Sequence, residues 1–90
     1  MNLADFKRKN KEVFKKVKNN SQYVVYYANT EVCTAEVYIN IIPSIVGYVS
    51  EDNKGLKQNV IRAGNQKDAL IHHLFMNNEY YTDIQGIENN

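Results

Sequence analysis

Leu3, Phe6, Val13, Phe14 and Val17 recur at spacings of three and four, with Asn10 on the same stripe, and this period predicts one amphipathic helix over residues 3–18. Asp5 falls in its first turn and Lys15, Lys16 and Lys18 in its last, the arrangement a helix dipole favours; Asn19-Asn20-Ser21 ends it. From Gln22 the period falls to two. Residues 22–28 (QYVVYYA) combine aromatic and β-branched side chains and lead into a turn at Asn29-Thr30. Over residues 32–41 the alternation is clean: Cys33, Ala35, Val37, Ile39 and Ile41 are expected to face a core, and Thr34, Glu36, Tyr38 and Asn40 the other side. Pro43 is expected to end or kink that strand, because it lacks an N–H.

Residues 45–50 (IVGYVS) read as a third strand and Glu51-Asp52-Asn53-Lys54-Gly55 as a loop whose glycine takes a positive φ. Residues 57–63 (KQNVIRA) offer a return as a fourth strand, so the sheet has three or four. A second helix is expected over about 66–77, capped by Asn65 with Asp68 three residues on, its stripe made of Leu70, Ile71, Leu74 and Phe75. In the tail, Tyr80, Tyr81, Ile84 and Ile87 are expected to pack as a last turn or short strand, while residues 85–90 look frayed. The order α-β-β-β-(β)-α predicts an α+β fold: an N-terminal amphipathic helix, an antiparallel sheet of three or four strands, and a C-terminal helix packed on one face.

Ninety residues suit one domain spanning 1–90. A lone Cys33, placed on an apolar strand face, is expected to be a buried thiol and excludes an internal disulfide. No apolar run approaches the roughly eighteen residues that span a bilayer, and the charged N-terminus lacks the apolar stretch of a secretion signal, so a cytoplasmic protein without a membrane partner is expected. Thirteen Asn and a nine-to-two excess of Lys over Arg fit AT-rich coding DNA, as in low-GC bacteria and their phages.

The charge distribution changes the picture most. Residues 1–20 hold seven cations against two carboxylates, a balance of +5, whereas residues 21–90 hold four cations against eight carboxylates, a balance of −4. A one-sign surface of this kind steers an oppositely charged partner. On a continuous helix Lys7, Lys11, Lys15 and Lys18 would share a ridge, with Arg8 and Lys16 displaced from it, able to follow a phosphate backbone without reading bases.

Other chemistry is sparse. Histidines His72 and His73 are adjacent, about 100° apart on a helix, and do not make a metal pair. No serine elbow, phosphate loop or dinucleotide fingerprint is present, and neither an enzyme nor a cofactor is expected. Residues 63–69 (AGNQKDA) superficially resemble the start of the last helix in double-stranded-RNA-binding domains. That family sets a lysine cluster there, where this chain has Lys67 beside Asp68, so the family is not assigned.

Two readings remain. In the first, the chain is a small binding module that acts by occupying a protein partner's surface, in the manner of phage or mobile-element inhibitors of host defence or nucleic-acid machinery. Tyr38, Tyr23, Tyr27, Glu36, Glu51 and Asp52 would then form the contact surface, since tyrosine is enriched at interfaces and the carboxylates repel phosphate. In the alternative, Lys7, Arg8, Lys11, Lys15 and Lys18 bind nucleic acid through its phosphates. A one-sided sheet with an edge strand also invites homodimer pairing across a two-fold axis.

Overall fold

A computed structural model describes residues 1–29, 31, 33–55 and 58–90. The fold is α+β, with three helices and a five-stranded antiparallel sheet among the described residues. The elements are α1 (Leu3–Lys9), α2 (Lys11–Lys15), β1 (Gln22–Tyr27), β2 (Ala35–Ser44), β3 (Gly47–Asp52), β4 (Gln58–Ile61), α3 (Gln66–Met76) and β5 (Ile84–Asn89). Strands β1 to β4 form a meander. After α3 the chain returns to lay β5 against the outer edge of β1, giving the order β4-β3-β2-β1-β5.

The N-terminal stripe folds as two helices rather than one. Asn10 leaves helical geometry (φ −109°, ψ 22°), ends α1 and starts α2, while its side-chain amide donates to the Phe6 carbonyl at 3.0 Å. Eight residues of straight helix would rise about 12 Å. The break brings the Phe6 and Phe14 rings to 5.6 Å, and Phe6 meets Phe75 of α3 at the same distance. The polar residue on the stripe is therefore where the helix turns to wrap the sheet.

Beneath one face of the sheet lies a buried cluster. Tyr23, Val25 and Tyr27 of β1, Val37, Ile39 and Ile41 of β2, and Ile61 of β4 meet Phe6, Phe14, Val17, Leu70, Ile71 and Leu74 from the helical layer. α1 and α3 start with side-chain caps: Asn2 accepts from the Asp5 N–H and Asn65 from the Asp68 N–H, each at 2.8 Å.

Strand limits depart from the sequence reading in several places, β4 ending at Ile61 rather than at 63 among them. β2 begins at Ala35, so Cys33 precedes it and is exposed rather than buried. Thr30, Val32 and Lys57, included in the expected turn and strands, lie outside the described residues. β2 also runs through Pro43 to Ser44. The Ile41 N–H bonds to Ser21, just before β1 starts, at 2.8 Å. By alternation Pro43 faces the same side two residues later, beyond the end of β1, so no ladder bond is lost there.

The turn is Ser44–Gly47, shifted from the expected Pro43 boundary. Gly47 has φ +141° and a Cβ there would lie 2.5 Å from the Ile61 carbonyl oxygen, so only glycine fits. Consequently Glu51 and Asp52 belong to β3 rather than to the following loop. Gly55 does take the positive φ expected of it, +70°.

The last departure is the tail. Residues 84–89 are a paired strand rather than a frayed end, and Asn90 donates its N–H to the Gln22 carbonyl at 3.0 Å. A register shift between Tyr26 and Tyr27 lets Ile84 and Ile87, three residues apart, both pack against the core.

Candidate interaction surface

The register of the five strands fixes which side chains share the face turned away from the helices. Nearest the β2–β3 turn, Ile42, Val49 and Val60 stand side by side across β2, β3 and β4. Ile42 is 45% exposed and Val60 65%, with Val49 half-buried between them. At the turn itself Ile45 is fully exposed and Val46 is 46% exposed. Isolated exposed aliphatics are ordinary; four exposed on this row and its adjoining turn are not.

The next row is polar: Gln22, Asn40, Glu51 and Gln58. The Gln22 amide donates to Asn40 at 2.7 Å and the Gln58 amide to the Glu51 carboxylate at 3.2 Å, so these side chains hold one another. Beyond it, Val24 sits between Tyr38 and Glu88, whose taller side chains leave it only 5% exposed. The far row pairs Tyr26 with Glu36 on one side and Gly86 on the other. The Tyr26 hydroxyl donates to Glu88 at 3.4 Å, and partial desolvation, then the negative charges of Glu88 and Glu36, push its pKa above the usual value. The face is thus aliphatic at one end and acidic and aromatic at the other. No Lys or Arg occupies a described open-face position in the five strands.

Three of the six residues named from sequence for a protein contact lie here: Tyr38 half-buried, Glu36 exposed and Glu51 half-buried. The other three do not. Tyr23 and Tyr27 belong to the opposite, core-facing parity of β1 and are buried. The Tyr23 hydroxyl donates to the Lys18 carbonyl, and the Asn20 N–H donates to it at 2.9 Å, so the ring anchors the exit from α2. Asp52 is buried on the core side as well.

Asp52 takes part in a polar cluster under β3. The Tyr81 hydroxyl donates to its carboxylate and the Lys54 N–H donates at 3.1 Å. The His73 ring stacks on Tyr81 at 5.8 Å and its Nδ1 is 2.6 Å from the Ser50 hydroxyl. Serine, histidine and aspartate together suggest a nucleophile and its base, but the geometry is different. Among the described residues His73 Nε2 has no hydrogen-bond partner, Asp52 accepts from Tyr81 and from the Lys54 N–H, and both Ser50 and His73 are completely buried. Desolvation lowers the His73 pKa to about 4, with the nearby Asp52 charge opposing the shift, so the ring is neutral at pH 7. No substrate reaches Ser50 in this packing; the cluster joins α3 and the following turn to the sheet.

The basic residues sit on the other side of the molecule. Lys7, Arg8, Lys11, Lys15 and Lys18 are exposed, with Arg8 paired to Asp5 at 2.9 Å. The break at Asn10 places Lys7 on α1 and Lys11 and Lys15 on α2, and Lys18 lies past the end of α2, so they do not form the continuous-helix ridge expected. Among the described residues no three His, Cys, Asp or Glu side chains form a metal set, and no helix is long and apolar enough to cross a membrane.

Sequence alone missed the aliphatic corner. The spacing puts Ile45, Val46, Val49 and Val60 in strands without fixing their face and leaves Ile42 between two strands; the available signal is that Ile42 breaks the alternation set by Ile39 and Ile41. No protein-family model matches the chain, and neither a curated protein nor a solved structure matches it.

Proposed function

We propose that this chain is a small non-enzymatic binding module that acts by laying the open face of its sheet on a protein partner. The observation that carries this reading is the Ile42–Val49–Val60 row, exposed at Ile42 and Val60, with Ile45 and Val46 exposed at the neighbouring turn. An apolar patch of this kind with a polar rim is what partner surfaces cover. Tyr38 and Tyr26 add aromatic area beside it, and Glu36, Glu51 and Glu88 make the face hostile to a phosphate backbone.

The nucleic-acid alternative draws on one specific observation, the exposure of the cations of α1 and α2 on the helical layer. The two readings use different surfaces and separate by mutation. Immobilised chain would be used to capture partners from a cell lysate treated with nuclease, and captured protein compared between Val60→Lys and the double variant Lys11→Glu/Lys15→Glu. The protein-docking reading expects loss with Val60→Lys and retention with the double variant. The reverse pattern would overturn it by moving the contact to the basic layer, and capture seen only when nuclease is omitted would favour nucleic acid.

A further inference from the structure

We infer that the partner segment seated on this face is cationic and amphipathic: apolar side chains at one end and lysine or arginine at the other. This rests on the protein-docking reading above and specifies the occupant. Charge is the deciding property. The face carries Glu36, Glu51 and Glu88 and no described Lys or Arg within its strands, while the protein's own cations are concentrated on the helical layer. An acidic segment would be repelled at the tyrosine end and an uncharged one would leave three carboxylates to be desolvated without a counter-charge.

The two ends are also ordered. Ile42, Val49 and Val60 form the first row and Glu36 with Tyr26 the last, six residues apart along β2, which is about 20 Å of strand. The occupant must therefore set its apolar contacts and its cations apart by a comparable length, which a helix of about thirteen residues does. Tyr26 and Tyr38 stand among the carboxylates, where their rings offer faces to a lysine or arginine side chain. The polar row between the ends is already hydrogen-bonded within itself, so a segment crossing it meets side chains that are held in place.

The test uses a fluorescein-labelled synthetic peptide of about thirteen residues, leucine-rich over its first two turns and lysine-rich over the last two. Fluorescence anisotropy would be recorded with the full chain, alongside a peptide with glutamate for every lysine and one with serine for every leucine. Both reference peptides are expected to bind at least about tenfold more weakly than the first, a step of one decade in Kd. Glu36→Lys and Val60→Lys should each weaken the first peptide by about the same factor, because both positions are exposed and each removes one end of the complementarity. Lys11→Glu/Lys15→Glu should not weaken it. Circular dichroism of each variant confirms that the fold is kept.

Equal affinity for the lysine and glutamate peptides, indifference to Glu36→Lys, or no binding of the lysine peptide would overturn the assignment of a cationic occupant. Lysate capture that depends on Val60 but not on Glu36 would overturn it too, while leaving the docking face in place. Capture indifferent to both residues would remove the docking face as well.

Discussion

Asp52 is a carboxylate only 9% exposed, and the Tyr81 hydroxyl and the Lys54 N–H both donate to it. Burial, then the Asp52 hydrogen bond and charge, push the Tyr81 pKa far above that of an ordinary phenol, so the donor is always present. Tyr81→Phe keeps the ring's contacts with Tyr27 and His73 but leaves the carboxylate one donor short. The expected cost is about 1–3 kcal/mol in urea unfolding, and an unchanged midpoint would show that another group satisfies Asp52. His73 makes a second prediction. Its pKa falls from 6.5 to about 4 on folding, chiefly by desolvation. The unfolded chain therefore binds a proton that the folded chain refuses between those values, and stability rises with pH through this window. The contribution is complete above about pH 6.5, lost by about pH 4, and worth about 3 kcal/mol. Urea midpoints measured from pH 7 to pH 4 should fall accordingly, and His73→Gln, which removes the titration, should flatten that slope relative to the parent. Neither group could be assigned this role from the sequence. Glu51-Asp52-Asn53 has the composition of a turn, and β1 is apolar or aromatic on both parities, so nothing in QYVVYY says whether Tyr23 and Tyr27 or Val24 and Tyr26 face the core.

At the scale of elements, the parts with one strong period were legible and the parts whose meaning depends on a distant partner were not. α3 and its Asn65 cap follow from spacing and capping chemistry, and β2 from its alternation. The N-terminal stripe has helical period throughout, but at its break at Asn10 Phe6 meets both Phe14 and Phe75, the second a tertiary contact no local window contains. The sequence leaves Ile84 and Ile87 of β5 open between a last turn and a short strand, with residues 85–90 frayed, for a definite reason. Ile84 and Ile87 are three residues apart, which contradicts a strand's period of two unless a bulge lies between them, and the bulge exists only because β1 supplies the partner. The strand is not decorative: it covers the outer edge of β1, brings Ile84 and Ile87 to the core, and closes on Gln22 through Asn90. Deleting residues 84–90 should abolish cooperative thermal unfolding, followed by far-ultraviolet circular dichroism, because one edge of β1 and two core side chains are lost together. A truncated chain that still melted cooperatively near the parent temperature would return this segment to the status of a loose tail.

For the molecule as a whole, the fold turns a charge split along the chain into a charge split across space. Residues 1–20, with their excess of cations, become part of the helical layer, and Glu36, Glu51 and Glu88 end on the open face of the sheet. The sequence showed that the poles exist; that they lie on different faces follows from sheet order and register. This separation bounds what the basic layer does by itself. An unbroken helix would carry Lys7, Lys11, Lys15 and Lys18 along one line, but the turn at Asn10 and the helix end at Lys15 divide them. A duplex laid against α2 would meet Lys11, Lys15 and one neighbouring cation, so two or three phosphates are neutralised. With a slope of about −0.9 per phosphate, affinity for duplex DNA should fall by roughly 10- to 50-fold between about 50 and about 200 mM salt. Fluorescence anisotropy with a labelled duplex measures this directly. Lys11→Glu/Lys15→Glu should remove the binding and Val60→Lys should leave it unchanged, because Val60 lies on the open sheet face. A fall of a thousandfold or more would require six or more phosphate contacts, hence the whole basic layer working as one surface, and would favour nucleic acid over a protein as the partner of this chain.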